Sequence, residues 1–228
     1  MNKTISKLLH SWPLFSALEL TSKHFQISLL KFYREPEATA LIEKAFREAD
    51  LQMNPLDAYS LYSLVRMQTN VPGNVVEIGM YRGGSAGIIC HLKGDKKFYG
   101  FDTFEGLPSL GKGDEKWFRE NQFRARQDDV AAYLAQFQGV TLTKGQFPDS
   151  GSILDGERLS FVNVDVDLYK GMIDSLNFLW EKLNHRGLIL IHDSHLGGVK
   201  KAVSEFREHY DAISFDCGCS QTALVRMS

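Results

Sequence analysis

The stretch Asn74-Val-Val-Glu-Ile-Gly-Met-Tyr-Arg-Gly-Gly-Ser85 constrains the fold more than any other part of the chain. Val75, Val76 and Ile78 read as a short buried strand, because β-branched side chains suit a sheet covered on both faces. Pro72 and Gly73 mark the turn that enters it. Gly79, Gly83 and Gly84 then fall where the strand gives way to a helix, expected over Ser85 to Leu92. Glycine there admits unusual backbone angles and close approach of a ligand, and the free amides of the helix start face the strand's carboxyl end. The spacing G-x-x-x-G-G departs from the dinucleotide fingerprint G-x-G-x-x-G. It reads as a nucleotide-type binding turn, with an ordinary strand-to-helix turn as the alternative.

Strands and helices alternate from residue 74 onward, which predicts a parallel sheet with helices on both faces. Lys97 to Thr103 reads as the second strand, and its Asp102 stands about where a strand-end carboxylate meets ribose hydroxyls in doubly wound folds. Asp128 to Phe137 reads as a helix and Val140 to Thr143 as a third strand. In the turn Lys144 to Ser150, Asp149 either reaches a ligand or caps the next helix.

The chemical centre is Leu159-Ser-Phe-Val-Asn-Val-Asp-Val-Asp-Leu-Tyr169. A fourth buried strand there ends in Asp165 and Asp167, which a period of two places on one face. Like charges so close call for a cation, a proton or separate partners. A fifth strand, Gly187 to Ile191, ends in His192-Asp-Ser-His195 on the same edge. Asp165, His192 and Asp193 together suit a divalent cation: carboxylates favour Mg²⁺, and a histidine shifts preference toward Mn²⁺, Fe²⁺ or Zn²⁺. His192 alone also fits a hydrogen-bonded structural role. His195 is a candidate general base, since imidazole titrates near neutrality, or else a solvent-facing loop residue.

Residues 1–70 read as helical. Leu14, Leu18, Phe25, Leu29 and Phe32 form an apolar stripe, Glu37 to Asp50 a second helix, and Asn54-Pro55 the start of a third. These helices pack round the core, cap the ligand face in part, and offer a homodimer surface. The glycine-rich, aromatic segment from Phe104 to Phe123 reads as a lid, or as aromatics packed on the helical cap. Val199 to Tyr210 is an amphipathic helix. Ile213 to Phe215 and Thr222 to Val225 are joined by so short a connection that they must form an antiparallel hairpin.

Composition excludes several classes. With 228 residues, 43% of them hydrophobic, the chain can bury one sizeable core. A formal charge of −2 argues against nucleic acid as the main partner. Cys90, Cys217 and Cys219 have neither zinc spacing nor a C-x-x-C pair, and read as reduced thiols of a cytoplasmic protein. No run of about 18 apolar residues suggests a membrane span, and Met1 to His10 lacks the apolar core of a signal peptide.

Val76-Glu-Ile-Gly-Met-Tyr-Arg-Gly-Gly-Ser85, Gly100-Phe-Asp-Thr-Phe-Glu-Gly-Leu-Pro108, Gly145-Gln-Phe-Pro-Asp-Ser150, Asp165-Val-Asp-Leu-Tyr169 and Gly197-Gly-Val-Lys-Lys-Ala-Val-Ser-Glu-Phe206 form an ordered series over roughly residues 70–206. The series resembles the macrocin O-methyltransferase-like family of class I S-adenosylmethionine-dependent methyltransferases, which act on sugar hydroxyls of natural products. The resemblance implies an α/β, Rossmann-like, seven-stranded, mostly parallel sheet with a C-terminal hairpin over residues 71–228; the helical cap over residues 1–70 is read from its own pattern, and its first 55 or so residues carry no motif of the family. It implies a cofactor site of Glu77, Gly79, Tyr81, Ser85, Asp102, Thr103 and Asp149, with Asp102 on the ribose. Asp165 would be a metal ligand and the base for the acceptor hydroxyl. The family's second metal motif is usually Asp-Asp, and here it reads His192-Asp193. Either His192 replaces an oxygen ligand, or the Mg²⁺ site is weakened while Asp165 still acts as base. The expected partner is a small-molecule acceptor, a glycoside, with neither nucleic acid nor membrane involved. A catechol-type methyltransferase and a metal-free binding relative remain the alternatives.

Overall fold

Period-two burial along the strands sorts their side chains into two cores, one on each face of a single sheet. Val75, Phe161, Leu188, Leu190 and Ala223 face one side, while Val76, Ile78, Val162, Val164, Ile189, Ile191 and Leu224 face the other. The computed structural model describes residues 12–227, with side chains described from residue 20 onward. The reading of Met1 to His10 lies outside the described residues, as do the side chains of Leu14 and Leu18.

The described residues begin with α1 (Trp12–Tyr33), α2 (Pro36–Ala49) and α3 (Pro55–Gln68). Then β1 (Asn74–Ile78), α4 (Gly84–Leu92), β2 (Phe98–Asp102), α5 (Gln127–Leu134) and β3 (Val140–Lys144) build one half of the sheet. The other half holds β4 (Leu159–Val164), α6 (Tyr169–Trp180), β5 (Leu183–Ile191), α7 (Gly197–His209), β6 (Ala212–Cys217) and β7 (Gln221–Arg226). Strand order is β3-β2-β1-β4-β5-β7-β6, with β7 antiparallel to both neighbours and the other pairs parallel. The expected terminal hairpin is present. The order reverses between β1 and β4, and the crevice beyond their carboxyl ends is where open α/β sheets bind ligands.

The three N-terminal helices share a core with the sheet. Leu30, Ile42, Ala45, Leu61 and Tyr62 pack with Val75, Ile88, Ile89, Phe98 and Phe161. The third helix starts as its sequence dictates, with Asn54 Oδ1 accepting from Asp57 N at 3.0 Å and Pro55 in the first turn.

Among the described residues, the expected stripe on α1 is not the buried one. Phe25 and Phe32 are 63% and 79% exposed, and Leu30 takes the core position instead. Helix α6 was absent from the sequence reading, although Met172, Leu176 and Leu179 have helical spacing and are fully buried. Asp165 and Asp167 are likewise not a strand pair. The strand stops at Val164, and Asp167 adopts a left-handed backbone with φ 60°, so the period of two no longer applies.

Candidate active site

The carboxyl ends of β1, β2, β4 and β5 surround a cavity of about 500 Å³. Gly79, Tyr81, Asp102, Thr103, Asp165, Asp167 and Asp193 all line it. The turn after β1 requires glycine: Gly79 has φ +81°, and a Cβ there would overlap the backbone oxygen of Asp165. Tyr81, Asp167 and Asp193 are non-glycine residues in left-handed conformations, a strain that concentrates at functional sites.

Asp102 staples this turn to the next segment. Its Oδ2 accepts from the amides of Met80 at 2.7 Å and Tyr81 at 2.9 Å, and its Oδ1 from Phe104 at 2.7 Å. Burial pushes its carboxyl up, aided by the charge of Asp165 and opposed by these amides. Three of roughly four acceptor positions are thus taken, which leaves one for a ligand hydroxyl. Beside it, the Thr103 hydroxyl donates to Gly106 O at 2.8 Å.

Glu77 does not line the cavity. It is fully buried one residue inside β1, where Oε1 accepts from Asn163 Nδ2 at 2.8 Å across the β1–β4 seam. Burial pushes its carboxyl up to about 8, against the pull of the Ser85 hydroxyl and the Asn163 amide. Ser85 is buried beside it and is also absent from the cavity wall. Asp149 is exposed, and Gly145, Gln146 and Phe147 line the wall in its place. The short 3₁₀ turn Gly151–Leu154 that follows has no side-chain cap.

Asp165, His192 and Asp193 do converge, and their candidate ligand atoms lie within 4.8 Å of one another. His192 Nδ1 is 3.3 Å from Asp165 Oδ1 and 3.4 Å from Asp193 Oδ2. The ring is buried, and neither of its nitrogens has a hydrogen-bond partner. Burial disfavours the charged ring, but the two carboxylates outweigh it and hold His192 well above its ordinary value. Burial likewise works against ionised Asp193, yet the adjacent His192 holds that carboxyl below its usual range. Asp167 is pushed well up by burial and by the charges of Asp165 and Asp193. A buried, unpartnered imidazole nitrogen facing two carboxylates is a donor set that fits a divalent cation. His195 stands apart: its side chain is 62% exposed and approaches Asp193 at 3.8 Å, outside the cavity lining.

The segment after Phe104 crosses the cavity mouth. Its Asp114 Oδ1 accepts from Tyr169 N at 2.9 Å at the start of α6, and Glu115 Oε1 accepts from Gly197 N at 2.9 Å at the start of α7. Carboxylates at two helix N-termini suit the orphan amides and the dipoles there. Phe118 packs into the core formed by α6 and α7 rather than onto the N-terminal helices, and Phe123 meets Tyr81 edge-on at 6.1 Å. Sequence reasoning marked this segment as a lid but missed its two anchors. From residues 1–70, only Gln52 reaches the cavity among the described residues.

The three cysteines are free, and burial raises Cys90 and takes Cys217 up to about 11, away from thiolate chemistry. Among the described residues no helix is long and apolar enough to cross a membrane.

The strand order, the antiparallel β7 and the crevice at the β1–β4 reversal define a class I, Rossmann-like methyltransferase fold. The chain belongs to the macrocin-O-methyltransferase family, whose model matches residues 59–215. A curated relative from Streptomyces olivaceus, 8-demethyl-8-(2,3-dimethoxy-alpha-L-rhamnosyl)-tetracenomycin-C 4'-O-methyltransferase, is 28% identical over 156 residues. That match covers 61% of this chain and 60% of the relative, so the chain spans less than two thirds of its length. The solved structure of the O-methyltransferase NovP matches with a TM-score of 0.67 at 20% identity, over 92% of this chain and all of that one. The O-methyltransferase TomG from Streptomyces achromogenes, solved in complex with S-adenosylmethionine, matches with a TM-score of 0.61 at 17% identity, over 92% of this chain and 98% of that one.

Proposed function

We propose that this protein transfers the methyl group of S-adenosylmethionine to a hydroxyl of a sugar-bearing small molecule, with a divalent cation held by Asp165, His192 and Asp193. The observation that carries this reading is the meeting of the Gly79 turn with that carboxylate–imidazole cluster on one cavity at the sheet's switch point. The sugar acceptor is supported by the rhamnosyl substrate in the relative's name and by the family's description.

Bound cofactor supplies an electrophilic methyl on a sulfonium, and a bound Mg²⁺ or Mn²⁺ lowers the pKa of the acceptor hydroxyl. The chain's own residues do the rest. Gly79, Tyr81, Asp102 and Thr103 seat the cofactor, with one Asp102 lone pair left for a ribose hydroxyl. Asp165 takes the hydroxyl proton as the oxygen–carbon bond forms and the carbon–sulfur bond breaks. The lid, fixed by Asp114 and Glu115, excludes water and aligns the reacting atoms. In this reading Glu77 and Ser85 shape the turn from behind, and His195, which stands outside the cavity, takes no proton from the acceptor.

A catechol acceptor needs an aromatic sandwich around the cation, for which Trp117 and Tyr169 are the candidates. Trp117 is 65% exposed, and the Tyr169 hydroxyl is turned to Glu205 Oε2 at 2.5 Å. We place the protein in the cytoplasm, and propose a homodimer through α1, whose Leu20, Phe25, Phe32 and Tyr33 are exposed.

The deciding experiment incubates the protein with S-adenosylmethionine, Mg²⁺ and a panel of glycosides and catechols, followed by mass spectrometry. Methylated glycoside with matching S-adenosylhomocysteine is the expected result. Methylation of catechols alone would overturn the sugar assignment.

A further inference from the structure

Asp57 is a carboxylate with no solvent exposure, set in the first turn of α3. Four donors converge on it. Asn54 Nδ2 and Cys219 N both donate, as do Ser220 N at 3.2 Å and the Ser220 hydroxyl at 2.7 Å. The hairpin turn between β6 and β7 is therefore built onto α3. Gly218, with φ +61°, has no room for a Cβ because Asp57 Oδ1 fills the space. These contacts tie α3 to the hairpin and fill the carboxylate's acceptor positions. Its Oδ2 lies 3.9 Å from His192 Nε2, on the side of the ring away from Asp165 and Asp193.

We propose that Asp57 is the positioning residue of the His192 centre: its buried charge faces the Nε2 edge of the ring and so keeps Nδ1 turned to Asp165 and Asp193. The inference rests on the reading of those three residues as a cation site. A metal-binding histidine commonly donates its second ring N–H to a carboxylate, which fixes both tautomer and ring orientation. The buried imidazole has no hydrogen-bond partner at either nitrogen, and the Asp57 carboxylate 3.9 Å from Nε2 favours a proton on that side of the ring by its charge. The same turn steadies the following residues, since Ser220 O accepts from Ser194 N at 2.8 Å and from the Ser194 hydroxyl at 3.1 Å. Asp57 thus holds His192 from behind and, through Ser220, the loop that carries Asp193. It does not touch the cavity.

The test compares wild type with Asp57→Asn, which keeps the side chain's shape. Mn²⁺ binding is followed by electron paramagnetic resonance in the S-adenosylhomocysteine complex. The His192 tautomer is read from ¹⁵N imidazole shifts with Mg²⁺ present. Wild type is expected to carry the proton on Nε2 with Nδ1 bare. Asp57→Asn is expected to bind S-adenosylhomocysteine as wild type does, to bind Mn²⁺ roughly 10–100-fold more weakly, and to show mixed tautomers. A folded Asp57→Asn with wild-type Mn²⁺ affinity overturns the proposal, and so does a wild-type ring protonated on Nδ1 with Nε2 bare. Should Asp57→Asn not fold, the wild-type ¹⁵N shifts decide alone: a proton on Nε2 supports the proposal and a proton on Nδ1 overturns it. If wild type binds S-adenosylhomocysteine but no Mn²⁺, the cation site itself fails, and Asp57 loses its assigned role with it.

Discussion

His192 Nδ1 lies 3.3 Å from Asp165 Oδ1, and the parallel register of β4 and β5 sets that distance. Val164 pairs with Ile191, so the next residue on each strand is carried past the end of the sheet side by side. The His192 amide still donates to Val164 O at 3.0 Å, which fixes the imidazole over the carboxylate. The cluster is thus built by strand pairing, and its chemistry can be tested one residue at a time.

Replacing Asp165 by Asn removes the carboxylate proposed to accept the hydroxyl proton and leaves the Gly79 turn untouched. Turnover is expected to fall roughly 10²–10⁴-fold, with S-adenosylhomocysteine affinity near wild type. Single-turnover kinetics beside calorimetry checks this. Loss of cofactor binding in a folded variant would remove Asp165 from its assigned role.

Glu77 gives the protein a pH-dependent stability. Its folded value of about 8 lies above the ordinary 4.5. The raised value favours the protonated native form, so this contribution is complete below the ordinary value and is lost as pH rises through about 8. Melting temperature should therefore fall between about pH 5 and 8 by more in wild type than in Glu77→Gln. Parallel profiles for the two proteins would show that this carboxyl does not titrate with folding.

The lid anchors should matter together. Asp114→Asn with Glu115→Gln weakens two acceptors at helix N-termini, each worth about 1 kcal/mol. Faster proteolysis between Pro108 and Phe123 and a raised KM are expected, with the melting temperature lowered by roughly 4–8 °C. An unchanged cleavage rate would mean that other contacts hold the lid.

Gly79→Ala forces a Cβ against the Asp165 carbonyl at a φ of +81°. The cost should be roughly 1–3 kcal/mol or more, and chemical denaturation measures it. An unaffected midpoint would show that the turn relaxes freely.

The sheet and the metal-type cluster were legible in the sequence because both follow from local pattern. Alternating Val and Ile mark the strands, and residues just past strand ends share an edge. Helix α6 carried its own signal in Met172, Leu176 and Leu179, but the acidic run before it drew the reading toward chemistry. What stayed hidden depends on distant pairs. Asp57 meets Ser220 across 163 positions, and Asp114 meets Tyr169 across 55. No local spacing announces such contacts. Glu77 and Ser85 sit in the right motif, yet a strand's alternation turns Glu77 into the core, away from the ligand edge. The apolar residues of α1 misled for a related reason, since periodicity identifies a face without saying what covers it.

The central claim is that the Gly79–Asp102 crevice binds S-adenosylmethionine. Isothermal titration of S-adenosylhomocysteine into the protein, with and without Mg²⁺, tests it most directly. One-site binding that persists without metal, and that weakens when Asp102 is changed to Ala in a folded protein, is the predicted result. A wild-type protein that is folded and takes up no S-adenosylhomocysteine under either condition would contradict the account at its root.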